Sequence, residues 1–260
     1  VATVYDAIGT GYDGTRRADA RIVERLIGHL APAPGGRYLD LACGTGNYTA
    51  ALAARGLDMT GIDASDVMLA AARAKAPGIA WSKGRAEDLP YGDASFDGVM
   101  CSFAIHHFGD VGAAFAEVAR VLERGRLVIL TATPAQMAGY WLNWYFPEAI
   151  VRSAVDMPTL DALCGALTSA GFRDIASDPF EVPEDLVDLF LYAGKHRPAL
   201  YLDPAVRAGI STFARGLSPP DELERGLAAL ATDIETGAID ATVASYAHDK
   251  GDYVFVIAEI

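Results

Sequence analysis

Two adjacent histidines, a pair of glycines and an acid at the end of an apolar run are the residues of this chain best placed to do chemistry. Gly44 and Gly46 stand in Arg37-Tyr-Leu-Asp-Leu-Ala-Cys-Gly-Thr-Gly-Asn-Tyr-Thr49, where an apolar run carrying Asp40 meets an Ala-rich helical stretch. Glycines there let a ligand come close to the backbone, beside the N–H groups that open the next helix. Asp63 ends the following apolar run, 17 residues after Gly46. A carboxylate so placed accepts two hydroxyl hydrogen bonds from a ribose; the bland alternative is a solvated strand-end acid. His106 and His107 follow a later apolar run, and an imidazole can orient or deprotonate a hydroxyl, amine or activated carbon near neutral pH. They match no zinc-binding helix motif and adjacent side chains chelate one ion poorly, so no metal site is expected.

These residues need a scaffold that brings strand ends together. Short apolar runs near 37–42, 58–62, 79–82, 97–102 and 126–132 alternate with helical patterns near 46–55, 66–76 and 111–123. In the last of these, Phe115, Val118, Ala119 and Leu122 share one face. Such alternation predicts a doubly wound, mostly parallel α/β sheet with its ligand at the carboxyl ends of the strands. A further helix at 159–170 and strands at 172–182 and 253–259 close the sheet in this reading. The rhythm breaks at 134–157, which is rich in aromatics. Residues 184–248 read as helices separated by prolines, too long for a simple connection, and so as a helical lid inserted before the last strand. The expected organisation is a leading cap of helices at 1–36, a core at 37–183 and 249–260, and the lid at 184–248.

A dinucleotide fingerprint would need a third glycine where Thr49 stands, and no lysine follows to make a phosphate loop. The ligand therefore has ribose and adenine but lacks a pyrophosphate. The polar stretch Gly84-Arg-Ala-Glu-Asp-Leu-Pro-Tyr91 supplies a loop for the edge of an adenine, through backbone N–H groups and Glu87 or Asp88.

In combination these motifs resemble the class I S-adenosylmethionine-dependent methyltransferases, in particular the small-molecule branch whose first motif reads Asp-Leu-Ala-Cys-Gly-Thr-Gly. The resemblance is close over 37–133 and extends loosely to 159–170 and the last strand. It implies a Rossmann-like seven-stranded sheet and S-adenosyl-L-methionine as cofactor. It sets Asp40 and the backbone from Ala42 through Gly44 to Gly46 beside the methionine moiety, and Asp63 on the ribose. Residues around Ala64 and Met68 would flank the adenine, Ala86 and Glu87 its polar edge, and Ser102 the strand end that faces the cofactor. Arg85 stands where many members carry Asp, which leaves the base edge to Glu87. Tyr5, Tyr12 and Arg16 resemble a leading helix folded over the cofactor, with Arg16 forking onto its carboxylate; an ordinary surface arginine is the alternative.

The substrate side is read from Tyr140-Trp-Leu-Asn-Trp-Tyr-Phe-Pro147, whose rings offer large apolar contact with OH and NH handles. Tyr140, Trp144 and Tyr145, with Tyr192, are the expected pocket residues; Phe190, His196 and Tyr201 would complete it, and His248 is read as structural. The alternative for these rings is packing inside the lid. The expected activity is methyl transfer to an O, N or C nucleophile of a small, partly apolar or aromatic metabolite. A nicotinamide-dependent oxidoreductase and a non-catalytic cofactor-binding protein are the competing readings.

Bulk properties agree with an enzyme acting on small molecules. The chain is 52% hydrophobic and 21% charged, with a net charge of −13, opposite to a general nucleic-acid binder. Three scattered cysteines, no leader pattern and no long apolar run predict a cytoplasmic protein without disulfides or a membrane span. A homodimer through the aromatic segment is the expected protein partner, if any.

Overall fold

The computed structural model describes residues 12–214 and 216–260. After a 3-10 turn at Tyr12–Gly14, helix α1 (Ala20–Leu30) starts where Asp19 accepts a hydrogen bond from the Arg21 N–H. It buries Ile22, Val23, Leu26 and Leu30, the stripe that a 3.6-residue period places on one face. β1 (Arg37–Leu41), α2 (Asn47–Ala53), β2 (Asp58–Asp63), α3 (Asp66–Lys75), β3 (Ala80–Lys83), β4 (Phe96–Ser102), α4 (Val111–Val121) and β5 (Leu122–Thr131) then alternate as the apolar runs predict. The sequence-derived bounds differ from these by a few residues, as helix and strand ends commonly do.

The sheet has seven strands in the order β3-β2-β1-β4-β5-β7-β6. β6 (Arg173–Phe180) follows helix α8 (Leu160–Ser169), and β7 (Tyr253–Glu259) runs antiparallel between β5 and β6. The other pairs are parallel, so the chain has the doubly wound, mostly parallel sheet expected of it. Strand order reverses between β1 and β4, the crevice where open α/β sheets bind ligands.

Alternation along the strands sends side chains to two hydrophobic layers. Leu39, Val99, Leu127 and Ile129 face Phe115, Val118 and Leu163. Tyr38, Met100, Val128 and Leu130 face Ile22 and Leu26 of α1. This second layer runs on into Trp141, Tyr201, Leu230 and Ile239, so the region above the sheet shares its core with the sheet itself.

That region has two sources. The aromatic segment folds into α5 (Pro134–Met137), α6 (Leu142–Tyr145) and α7 (Pro147–Val155). The insertion adds α9 (Pro204–Ala208), α10 (Ser211–Ala214), α11 (Pro220–Thr236) and α12 (Ile239–Ser245). Buried Glu222 of α11 accepts from the Glu148 and Ala149 N–H groups that open α7, which ties the two sources together. Among the described residues no helix is long and apolar enough to cross a membrane.

Candidate functional site

A cavity of about 480 Å³ opens at the carboxyl ends of β1, β2 and β4, a volume in the ordinary range for small-molecule sites. The loop after β1 forms one wall with Ala42, Cys43, Gly44 and Thr45. Ala42 and Gly44 both have left-handed backbone, with φ of 57° and 55°, and a Cβ built on Gly44 would meet nothing within 4 Å. The backbone of this loop is thus open to a ligand. Asp63, at the end of β2, holds it in shape: one carboxylate oxygen accepts from the Gly44 N–H and the other from the Ser65 N–H, each at 2.8 Å.

Of the twelve residues expected to hold the cofactor, ten line this cavity: Tyr12, Arg16, Ala42, Gly44, Asp63, Ala64, Met68, Ala86, Glu87 and Ser102. Asp40 and Gly46 do not. Asp40 is 3% exposed and lies behind the loop, where Thr49 Oγ1 donates to it at 2.5 Å. Burial, against the Thr49 bond and with the nearby charge of Asp63, pushes its carboxyl up to about 7. Gly46 has φ of 72°, and a Cβ there would come within 2.3 Å of the Trp81 ring. The second glycine thus permits the packing of Trp81 of β3 against the loop. Asp40 and Gly46 were both expected beside the cofactor, and the structure places both outside the lining of this cavity.

Residues 12–16 strap the cavity; Tyr5 lies outside the described residues. Asp13 accepts from Thr45 Oγ1 at 2.6 Å and from Asn47, and pairs with Lys75. Burial acts to raise the Asp13 carboxyl, but these partners outweigh it and hold it below the usual carboxylate range. Arg16, expected at the cofactor carboxylate, is paired within the chain. Its guanidinium pairs with Asp188 at 2.5 Å, donates to the Tyr12 hydroxyl at 2.6 Å, and lies over the rings of Tyr12, Phe103 and Phe190. Asp188, 1% exposed, also accepts from the Tyr48 hydroxyl at 2.9 Å. Sequence reasoning missed Asp188, although an acid inside the apolar run Leu186-Val-Asp-Leu-Phe-Leu191 was a visible signal.

The loop after β4 brings His106 and His107 to the cavity wall, with ring centroids 3.9 Å apart. Glu87 anchors that loop by accepting from the Gly109 N–H at 2.7 Å. Burial would raise its carboxyl, but backbone N–H groups and Arg85 more than offset that and hold it below the ordinary value. Beside the histidines, Phe103 takes a left-handed φ of 57° that aims it inward, a strain typical of functional loops. Phe103, Phe190 and Tyr253 form a ring cluster with centroids 4.6–5.5 Å apart, and with Tyr140 they make an aromatic wall.

Of the expected substrate residues, only Tyr140 lines the cavity, with its hydroxyl donating to the Asp252 carbonyl at 2.5 Å. Trp144 is 64% exposed. Tyr145 is buried and donates to Asp233 of α11 at 2.7 Å. Tyr192 stacks on the outer face of Tyr140 with centroids 4.0 Å apart, and Tyr201 and His196 bond to nearby carbonyls. Tyr145, Tyr192 and Tyr201 thus pack the cap while Trp144 faces solvent, and none of Trp144, Tyr145 and Tyr192, expected at the substrate, lines this cavity. The residues that the cap does present, among them Met137, Ser153, Met157, Ile210 and Thr212, lie in short helices or the bends that follow them, with no sequence signature.

The cavity fits a nucleoside that carries a small charged tail. It combines an open glycine backbone, the fixed carboxylate of Asp63, and the hydroxyl of Ser102, buried with no hydrogen-bond partner among the described residues. Comparison with known proteins agrees. A methyltransferase-domain family model matches residues 39–130. The demethylmenaquinone methyltransferase of Beutenbergia cavernae is 32% identical over 200 residues, covering 67% of this chain and 83% of that protein. An uncharacterized methyltransferase of Mycobacterium bovis is 40% identical over 184 residues, 70% of this chain and 74% of its own. The crystal structure of a putative methyltransferase from an antibiotic biosynthesis pathway of Anabaena variabilis superposes with a TM-score of 0.84 at 35% identity, over 95% of this chain and 99% of that one. The fold, the glycine-loop cavity and these relatives together make the chain a member of the class I S-adenosylmethionine-dependent methyltransferase family.

Proposed function

We propose that this methyltransferase acts on an O, N or C nucleophile of a small, largely apolar, ring-bearing molecule. The observation that carries the reading is the shared cavity: the glycine loop and Asp63, both histidines, and the wall of Phe103, Phe190, Tyr140 and Tyr253 line one space. When bound, S-adenosylmethionine supplies an electrophilic methyl group on a sulfonium sulfur. The chain's own part is to hold the nucleophile in line, exclude water and manage a proton. The aromatic wall orients a substrate ring by stacking or edge contact. One of His106 and His107 takes the proton from the nucleophile or fixes its lone pair.

In this reading the core, 37–183 with 249–260, holds the methyl donor, the leading segment folds over that donor, and 184–248 closes over the substrate. A quinone-like ring is a natural member of the substrate class, since the similar Beutenbergia protein is named for demethylmenaquinone. Nucleic acid is a poor substrate for a surface of net charge −13. The direct test is transfer of labelled methyl from S-adenosylmethionine to a panel of phenols, hydroquinones and aromatic amines. Turnover on ring compounds supports the reading; turnover confined to polynucleotides or to protein would overturn it.

A further inference from the structure

The cap's share of the cavity wall is apolar except at one point. Ser153 of α7 and Thr212 of α10 are 8% and 3% exposed, and both line the cavity. Ser153 Oγ donates to Thr212 Oγ1 at 2.8 Å. Two hydroxyls carry two donor hydrogens, and this bond uses one. Among the described residues no other acceptor receives the second.

A helical serine or threonine can return its hydrogen to the carbonyl four residues back. Thr168, Ser169 and Thr232 do so, on Cys164, Gly165 and Ala228. Ser153 and Thr212 turn to each other instead, across 59 residues of sequence, and do so at the cavity surface. Their neighbours on this wall, Met137, Met157 and Ile210, offer no acceptor stronger than a thioether sulfur in their side chains. A buried hydroxyl hydrogen without an acceptor is unfavourable, and a ligand oxygen relieves it.

We propose that the Ser153–Thr212 pair determines substrate specificity by donating a hydrogen bond to a carbonyl or hydroxyl oxygen on an otherwise apolar ring. The pair belongs to the cap, whereas the histidines belong to the sheet edge. In this proposal the oxygen it reads is distinct from the atom that accepts the methyl group. The inference rests on the proposed substrate class and adds to it a second polar point, so that the preferred molecule is a ring with an oxygen apart from its methyl-accepting atom.

The test uses matched probes that differ by one oxygen: 1-tetralone against tetralin, and 2-naphthol against naphthalene. Binding is measured by calorimetry on the full chain saturated with S-adenosylhomocysteine. The wild type should prefer the oxygenated member of at least one pair by roughly three- to tenfold, the scale of one neutral hydrogen bond. Thr212→Val should abolish the preference while leaving tetralin or naphthalene binding in place, Thr212→Ser should retain it, and Ser153→Ala, which leaves the Thr212 hydrogen for the ligand, should retain it in part. Undiminished affinity for S-adenosylhomocysteine serves as the check on folding; if Thr212→Val fails it, Thr212→Ala takes its place. Equal binding of both members by the wild type, a preference that survives loss of the Thr212 hydroxyl, or no binding of any probe would overturn the proposal. Methyl transfer to ring compounds without oxygen discrimination would sink this inference and spare the proposed function. Oxygen discrimination without methyl transfer would do the reverse.

Discussion

Asp63 illustrates how one side chain can serve both scaffold and ligand. Its two oxygens already hold the Gly44 and Ser65 N–H groups, so the loop that faces the cavity depends on it. Asp63→Ala should weaken S-adenosylhomocysteine binding by about 1.5–3 kcal/mol, the worth of a hydrogen bond to a charged group; unchanged affinity in calorimetry would remove Asp63 from the ligand site. His107→Ala makes the opposite demand. If the histidine serves the nucleophile, kcat falls while the affinity for S-adenosylhomocysteine holds; an equal loss of both, or of neither, counts against that role. Asp40 carries a pH signature. Its carboxyl is raised from 3.8 to about 7 in the folded chain, so its contribution to stability is full below 3.8 and is lost as pH rises through 7. Asp40→Asn can keep the Thr49 bond without a charge. It should therefore unfold later than the wild type by on the order of 1–4 kcal/mol at about pH 8, an advantage that vanishes toward about pH 4. A stability difference that stays constant across that range would show that Asp40 is not the group responsible.

Between elements, the Arg16–Asp188 pair joins the strap before α1 to the segment after β6. Removing one partner of a buried pair leaves the other charge unpaired, typically a loss of roughly 3–5 kcal/mol. Asp188→Ala should lower stability on that scale and hasten proteolysis of the 184–248 region, whereas Asp185→Ala, on an exposed pair, should do neither. Equal behaviour of the two variants would deny the strap its role. The same scale shows what the sequence could reveal. β1 to β5 and α2 to α4 were legible because each is a short apolar period bounded by a cap or glycine, and the glycine loop and Asp63 lie where those elements end. The cap was not legible in detail. Trp144, Tyr145 and Tyr192 carry the same ring chemistry as Phe103 and Tyr140, and only tertiary packing decides which rings meet the cavity. Gly46 is a related case: its neighbour is Trp81, 35 residues away in sequence, and no local pattern announces that contact.

On the scale of the whole molecule, the cavity has no local source. Its walls come from the strap at 12–16, the loops after β1, β2 and β4, the helices α7 and α10, and the chain around Asp188. An unfolded chain has none of this, so a ligand of the cavity binds the folded state alone and stabilises it by mass action. At a hundredfold excess over Kd that amounts to about 2.7 kcal/mol. For a domain near this size each kcal/mol moves Tm by roughly 2–4 °C. S-adenosylhomocysteine at such an excess should therefore raise Tm by about 5–10 °C. The incomplete glycine pattern, with Thr49 in place of a third glycine, gives NADH no equivalent seat, and the same concentration of NADH should leave Tm unchanged. A scanning calorimetry trace in which NADH stabilises the chain and S-adenosylhomocysteine does not would mean that the cavity is built for a different nucleotide, because coupling to global stability reports occupancy of the assembled site whatever the substrate.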